Sequence, residues 1–276
     1  MSIVSLTKKN YQTDERWDEF FENGKSLYSL IHYHPDWTPM FANIKNDKKF
    51  KELNQKLKKI VAANKRIKIF PFPNHVFAAF NITKASSVKV VFIGQDPYFH
   101  CIEPETDRYV MDAKNNRYIP EAMGLSFSVP HGIKIPSSLE NIFNNQIKYG
   151  HIRKKPETGN LWYWAAQGCL MLNAALTVED QTKEAHIKMW EWATDYVINY
   201  ISEYMSGIIF VLWGAYAYKK IELINLDKHH TIISSHPSGF SAHKKFQNFP
   251  AFMDEDHFGK INKILSKSNR SKILWE

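Results

Sequence analysis

The sequence predicts an α/β fold with a central four-stranded, parallel, twisted sheet flanked by helices. Short apolar runs alternate with helical patterns along the chain, and these runs are apolar at every position rather than at alternate positions. Strands that alternate with helices form parallel sheets, and strands buried on both faces are apolar throughout. A helical N-terminal section and an inserted β-hairpin complete the predicted architecture.

The N-terminal section, residues 1–67, is predicted to be helical. Apolar side chains recur at helical spacing from Phe50 to Val61, which predicts an amphipathic helix over 46–63. A proline-containing turn at 71–74 follows this section. We therefore expect an α/β domain over 68–276, with an insertion at about 100–122.

The α/β domain is predicted from four apolar runs and the helical patterns between them. The predicted strands are 88–93, 169–172, 208–213 and 231–233. The predicted helices are one opened by a capping box at 137–140, one over 190–204 and one over 215–226.

Polar side chains follow the predicted strands at the points where the strands end. Asp96 follows the first strand, Asn173 the second and His236 the fourth. Each residue alone is typical of a turn, a cap or a structural histidine. Because the carboxyl ends of parallel strands meet at one edge of a sheet, three such residues favour a shared pocket.

The three side chains support one kind of chemistry together. Asp96 can orient or deprotonate a water, and His236 can stabilise negative charge on a leaving group. The amide of Asn173 suits the edge of a nucleobase. The residues alone predict water-mediated cleavage that releases an anionic heterocycle, and they leave open which one.

Composition favours a polyanionic partner. The net charge is +8 and the pI about 9.2, which indicates nucleic acid first. Two cysteines are too few for a four-cysteine metal site, and we expect no metal and no cofactor. Two cysteines also do not suggest a disulfide scaffold, so we expect an intracellular, reducing compartment. Neither a signal-peptide pattern nor a membrane-spanning run is recognisable, and we expect no membrane contact.

Five motifs follow one another along the chain: GQDPY at 94–98, GLSFSV at 124–129, PSSLEN at 136–141, LMLNAALT at 170–177 and HPSGFS at 236–241. Together they resemble the motifs of family 1 uracil-DNA glycosylases, in a resemblance that covers roughly residues 68–265. In chain order they resemble the water-activating motif, the segment with the base-stacking Phe, the phosphate-pinching loop, the uracil-reading strand and the minor-groove loop.

The resemblance implies a role for each matching residue. As catalytic residues, Asp96 would activate the water and His236 would hold O2 of uracil. The residues that would bind uracil are Gln95, through its backbone; Tyr98, which would exclude the thymine methyl; Phe127, which would stack on the base; and Asn173, which would read its edge. Those that would contact DNA are Ser138, Gly214, Ala215, Ser238, Phe240, Ser241 and Lys244.

The chain departs from the family pattern at several of these positions. Phe99 stands in place of the usual His, Phe240 in place of the usual Leu, and Lys244 in place of the usual Arg. Ala215 replaces a common Ser or Lys, which puts that phosphate contact in doubt. The Leu-to-Phe replacement predicts that Phe240 is the wedge that fills the gap left by a flipped base.

The connection between Tyr98 and Gly124 is much longer than in the family. Two β-prone runs, 108–111 and 117–119, flank turn-forming residues at 112–116, which predicts a β-hairpin. Its charges roughly balance, so we expect a structural or partner role rather than phosphate binding.

The expected activity is release of uracil from single- and double-stranded DNA, which initiates base excision repair. The main alternative is a weakly catalytic DNA-binding or processivity module on the same fold. A mismatch glycosylase and a generic nucleotide-binding domain are further alternatives, disfavoured by Tyr98 and by the lack of a glycine-rich phosphate loop. We expect a monomer in the nucleus or cytoplasm, with replication or repair proteins as partners; the lysine-rich composition would also suit a viral source.

Overall fold

The computed structural model describes residues 6–110 and 117–276. Its α-helices are, in chain order, α1 (Lys8–Tyr11), α2 (Trp17–Glu22), α3 (Leu27–Leu30), α4 (Thr38–Asn46), α5 (Lys48–Ala63), α6 (Ala78–Ile82), α7 (Ser137–Lys148), α8 (Trp162–Ala166), α9 (Ile187–Tyr204), α10 (Gly214–Lys219) and α11 (His257–Lys267). Its β-strands are β1 (Ile69–Phe70), β2 (Val90–Gly94), β3 (Cys101–Ile102), β4 (Ile119–Pro120), β5 (Cys169–Asn173), β6 (Val178–Glu179), β7 (Ile209–Trp213) and β8 (His230–Ser234).

The central sheet has four parallel strands in the order β5-β2-β7-β8. The four apolar runs form these strands, with ends that differ by one or two residues from the predicted ones. Every residue of β2, β5 and β7 is buried, and α6, α8, α10 and α11 pack against the sheet. The predicted fold class is confirmed.

The N-terminal section consists of α1–α5, and its core is continuous with that of the sheet. The predicted helix over 46–63 is α5, which Asp47 caps by accepting a hydrogen bond from the Lys49 amide at 2.8 Å. In α4, the ring of Phe41 packs edge-on against Phe80 of α6 at 5.1 Å. Burial of large apolar rings, rather than helix propensity, fixes these short helices on the domain.

The predicted capping box at 137–140 was wrong, although α7 does begin at Ser137. The N-cap residue is Pro136, and it makes no side-chain cap hydrogen bond. The helix thus starts one residue earlier than the box requires, so Glu140 is the fourth helical residue and not the third, and the proline N-cap has no N–H to offer. Glu140 instead accepts a hydrogen bond from Lys155 at 2.8 Å.

The two later helices occupy the predicted segments. The helix predicted over 190–204 is α9, which begins three residues earlier. The helix predicted over 215–226 is shorter: α10 ends at Lys219 and a 3-10 turn, Lys220–Leu223, follows.

The insertion contains an antiparallel pair, but not the predicted one. Ile119 of β4 pairs with Ile102 of β3, and Tyr109 makes a single bridge to Ile102. The run at 108–111 therefore does not pair with 117–119 in the described residues, and the predicted turn at 112–116 lies outside them. Cys101 and Ile102 are buried, so burial of a third β-prone run decided the pairing.

The insertion packs against the N-terminal part of the chain. The Tyr118 ring lies 5.8 Å from Phe70 and 5.6 Å from Phe72. The Tyr11 hydroxyl donates to the Ala122 carbonyl at 2.6 Å. These contacts provide the support that an isolated hairpin lacks in water. Over the ranges 6–110 and 117–276, no helix has the length and apolar character to span a membrane.

Candidate functional site

The carboxyl ends of the parallel strands open onto one cleft. Gly94 at the end of β2 is in register with Asn173 at the end of β5, and Trp213 of β7 is in register with Ser234 of β8. A cleft of about 570 Å³ lies at this edge. The predicted catalytic and uracil-binding residues all line it: Gln95, Asp96, Tyr98, Phe127, Asn173 and His236.

Asn173 is held against the backbone of the neighbouring strand. Its side chain is almost fully buried, and a Cβ added at Gly94 would lie 2.1 Å from Asn173 Oδ1. Only glycine permits this close approach. The absence of a side chain at 94 thus fixes where the Asn173 amide lies in the cleft.

Asp96 has one tethered and one unpartnered oxygen. Its Oδ2 accepts a hydrogen bond from the Glu184 amide at 3.0 Å. Its Oδ1 is buried and has no hydrogen-bond partner within the described part of the chain. Burial raises the pKa of Asp96 to about 6, against the smaller opposing effects of the Glu184 amide and Lys183. At neutral pH the group is a carboxylate with an acceptor available to a substrate water.

The backbone and side chain of Gln95 stabilise two neighbouring segments. Its carbonyl accepts a hydrogen bond from the Ala175 amide at 3.0 Å, which links the loop after β2 to the segment after β5. Its side-chain amide donates to Glu184 Oε1 at 2.8 Å. The position of Glu184, and with it the tether of Asp96, thus depends partly on Gln95.

His236 has its imidazole tautomer set by a local hydrogen bond. Its Nδ1 accepts from the Ser238 amide at 3.0 Å, so the proton of the neutral ring lies on Nε2. Burial, followed by the positive charge of Lys183, lowers the pKa of His236 to about 4. At neutral pH this residue is therefore an uncharged donor in the cleft.

A glycine also makes room for His236. Gly214, in the left-handed region at φ +87°, starts α10, and a Cβ there would lie 2.8 Å from His236 Cβ. A side chain at 214 would displace the imidazole.

Tyr98 and Phe127 are joined across the cleft. The Tyr98 hydroxyl donates to the Phe127 carbonyl at 3.3 Å, and burial raises the pKa of Tyr98 far above its usual value. Phe127 has φ +62°, an uncommon conformation for a bulky residue. Its ring meets Trp213 edge-on at 5.5 Å and lies 6.1 Å from the His236 ring. The strained backbone directs an aromatic ring into the cleft.

The residues predicted to contact DNA surround the cleft without all lining it. Ser138 in the first turn of α7 and Ser238 line the cleft, while Gly214 is buried behind His236 and Ala215 is exposed at the start of α10. The Asn141 amide donates to the Pro237 carbonyl at 2.8 Å, which fastens α7 to the loop carrying His236.

The loop after His236 presents an aromatic ring to solvent. Phe240 is 81% exposed, and Lys244 Nζ lies 4.1 Å from its ring centroid. The Ser241 carbonyl accepts from Ser235 Oγ at 3.0 Å. The backbone at the base of this loop is therefore anchored, whereas the Phe240 side chain extends outward.

Sequence reasoning missed several cleft residues. Lys183 and Glu184 lie before α9 and belong to no motif, yet they determine the surroundings of Asp96. His100, Tyr109 and Glu121 enter the cleft from the insertion. Only the length of the insertion signalled that its residues could reach the site. Within the residues that the structure describes, no group of three or more His, Cys, Asp or Glu side chains could hold a metal ion.

Comparisons with known proteins agree on one family. The model of the Uracil DNA glycosylase superfamily matches residues 80–266. The probable uracil-DNA glycosylase of Acanthamoeba polyphaga mimivirus is 35% identical, over 99% of this chain and 72% of the relative. The uracil-DNA glycosylase of Psychromonas ingrahamii is 41% identical, over 75% of this chain and 85% of the relative. The crystal structure of mimivirus uracil-DNA glycosylase superposes with a TM-score of 0.87 at 34% identity, covering 99% of this chain and 97% of that one.

Proposed function

The chain belongs to the uracil DNA glycosylase superfamily, and we propose on this basis that it hydrolyses the N-glycosidic bond of flipped-out deoxyuridine in DNA. It is a DNA N-glycosylase that releases uracil and leaves an abasic site, the first step of base excision repair. The observation that best supports this activity is the meeting of Asp96, Asn173 and His236 in one cleft. Such a cleft can receive a base only after the base leaves the stack.

Asp96 and His236 have separate roles in the proposed reaction. The bond between C1′ of deoxyribose and N1 of uracil breaks, and its electron pair passes into the uracil ring and onto O2. A water oxygen forms the new bond to C1′, and its proton passes to the Asp96 carboxylate. The Nε2–H of His236 donates to O2 as negative charge builds there. The released uracil anion is then protonated from solvent, and Asp96 gives the proton that it accepted back to solvent, which restores the carboxylate.

The proposed base recognition uses three other side chains. The Asn173 amide pairs with the O4 and N3–H edge of uracil, and the Phe127 ring stacks on the base. Tyr98 stands at the C5 edge, where its partly buried ring excludes a methyl group. The backbone of Gln95 forms the remaining wall of the proposed uracil pocket.

A direct test measures uracil release by the purified chain from single-stranded and duplex oligonucleotides. Abasic sites are revealed by alkaline strand cleavage, with cytosine- and thymine-containing strands as controls. We expect release from both uracil strands and from neither control. Binding of uracil-containing DNA without release would contradict the proposed function and support the DNA-binding module, which no comparison favours.

Replacing Asn173 with aspartate should transfer part of the activity from uracil to cytosine. A carboxylate accepts from the cytosine amino group but meets uracil O4 with two acceptors face to face. We expect cleavage of uracil to fall roughly 100-fold, with cytosine release becoming detectable. The comparison is kcat/KM on matched oligonucleotides, with Asn173→Ala as control. If Asn173→Asp and Asn173→Ala behave alike on cytosine, Asn173 does not read the base edge.

Replacing Phe240 with alanine should impair duplex substrates more than single strands. The exposed ring is available to fill the gap left by the flipped base, and a single strand has no stack to hold open. We expect kcat/KM on duplex uracil to fall roughly tenfold, with little change on single strands. Phe240→Leu is the matched control because it keeps an apolar wedge. Equal losses on both substrates would contradict the wedge role.

The remaining proposals concern DNA contacts and partners. Backbone amides and hydroxyls near helix starts can hold phosphates, which suits Ser138, Gly214, Ala215, Ser238 and Ser241. Lys244 adds charge beside the wedge. We further propose that the chain acts as a monomer inside cells, alongside replication or repair proteins.

A further inference from the structure

Three rings form a row in the wall of the cleft on the side of the insertion. Phe99 and His100 have ring centroids 4.4 Å apart, and His100 and Tyr109 have centroids 4.9 Å apart. All three residues line the same cleft as Asp96. The row, called here the aromatic shelf, is thus continuous with the site of the chemistry.

The outermost ring of the aromatic shelf is held in place yet open to solvent. Tyr109 is 52% exposed, although backbone hydrogen bonds at both of its chain neighbours fix its position: Glu103 N–H donates to the Arg108 carbonyl at 2.9 Å, and Val110 N–H donates to the Cys101 carbonyl at 3.0 Å. Its hydroxyl donates to Glu121 Oε1 at 3.3 Å. The Tyr109 side chain has thus lost conformational freedom, yet half of its surface is still in contact with water and available to a ligand.

The charges around the aromatic shelf suit a nucleic-acid strand. Lys183 Nζ lies 5.3 Å from the Phe99 ring centroid and lines the cleft. Burial lowers the pKa of His100, so its ring is an uncharged stacking surface at neutral pH. Two nearby carboxylates are paired, Asp107 with Lys8 and Glu105 with Arg117. Glu121, which accepts from the Tyr109 hydroxyl, also lines the cleft, and burial raises its pKa to about 7. A phosphate backbone therefore meets the Lys183 cation here, with Glu121 partly protonated at neutral pH.

We propose that the aromatic shelf stacks an unpaired base of the substrate strand, next to the flipped deoxyuridine. Every nucleobase presents a π-face, so stacking on Tyr109 would be tolerant of sequence, while Lys183 attracts the adjoining phosphates. The inference rests on the proposed function, because it concerns the strand that carries the uracil. It assigns the insertion a role in substrate binding as well as in packing.

The test compares Tyr109→Ala with Tyr109→Phe on single strands of different length. On long strands, Tyr109→Ala should raise KM roughly tenfold, whereas Tyr109→Phe, which keeps the ring, should stay near the parent value. On the shortest cleavable uracil oligonucleotide, which leaves the shelf empty, all three proteins should have the same kcat/KM. An equal loss on short and long strands, or no loss on either, would overturn the proposal.

A second measurement reports stacking without catalysis. A fluorescent adenine analogue, quenched when it stacks, is placed at each position beside uracil in turn, and binding is followed with the Asp96→Asn variant. Quenching at one position should appear with Asp96→Asn and with Asp96→Asn/Tyr109→Phe, and disappear with Asp96→Asn/Tyr109→Ala. Quenching that persists in Asp96→Asn/Tyr109→Ala would overturn the proposal that the aromatic shelf stacks a base. Failure of the parent chain to release uracil from any strand would instead overturn the proposed function.

Discussion

Replacing Asp96 with asparagine is expected to lower kcat for uracil release by about 10²- to 10⁴-fold, the range for loss of a general base. The amide has nearly the same shape and can still accept the Glu184 N–H through its oxygen, but it cannot take a proton from water. The affinity for uracil-containing DNA should stay within a few-fold of the parent value, because binding does not require the carboxylate. Single-turnover release and equilibrium DNA binding check the two halves of this expectation.

The pH dependence gives the Asp96 prediction a sharper form. The carboxyl must be ionised to act, and its pKa is raised to about 6, so parent activity should fall as pH drops through that value. The residual activity of Asp96→Asn should not show this acid limb, the fall in activity as the pH drops through about 6. A variant with near-parent turnover, or with an unchanged acid limb, would show that Asp96 is not the base.

Stability provides the control for the same substitution. Folding raises the pKa of Asp96 from 3.8 to about 6. The contribution of this group to the free energy of unfolding is therefore most favourable below pH 3.8 and is lost as the pH rises through about 6. With solvent screening of a half-buried group allowed for, the charge on Asp96 lowers the free energy of unfolding by about 1 to 2 kcal/mol at neutral pH. Asp96→Asn removes the buried charge, so its urea midpoint should match or exceed that of the parent near neutral pH. Loss of activity then cannot be attributed to unfolding.

The central sheet could be predicted from the sequence because its strands carry an unambiguous pattern. Runs such as Val90–Gly94 are buried at every residue, and such runs cannot be confused with half-exposed strands. Once they are recognised as parallel, their shared carboxyl edge follows. That topological step places Asp96, Asn173 and His236 together without any knowledge of distances.

The rest of the site could not be predicted because it depends on contacts between distant segments. The amide of Glu184 reaches Asp96 from 88 positions away, and a backbone donor leaves no trace in residue type. In the insertion, short β-prone runs compete for the same partner, and burial of Ile102 decides the pairing with Ile119. At Ser137, the residue types of a capping box were present, but the N-cap is Pro136, so Ser137 and Glu140 occupy the first and fourth helical positions instead of the N-cap and third.

Replacing His236 with alanine is expected to lower kcat by about 10²- to 10³-fold, the typical loss for one donor that stabilises a developing anion. KM should change less, because the charge on O2 develops mainly as the bond to C1′ breaks. His236→Gln is the matched control: its side-chain amide offers an N–H from a similar distance along the chain. We expect it to recover part of the loss, as measured by single-turnover kinetics on single-stranded uracil.

The tautomer of His236 separates this role from simple packing. Because Nδ1 accepts the Ser238 N–H and the pKa is lowered to about 4, nitrogen NMR of the parent chain should show a neutral ring, protonated on Nε2, throughout the range in which Asp96 titrates. The acid limb of activity then belongs to Asp96 alone, and His236→Ala should keep that limb while losing rate at every pH. A charged imidazolium at neutral pH, or a limb that disappears with His236→Ala, would contradict the neutral-donor role. Because activity follows the protonation of Asp96 and the ring nitrogens follow that of His236, the group that titrates near pH 6 can be assigned to one of the two residues.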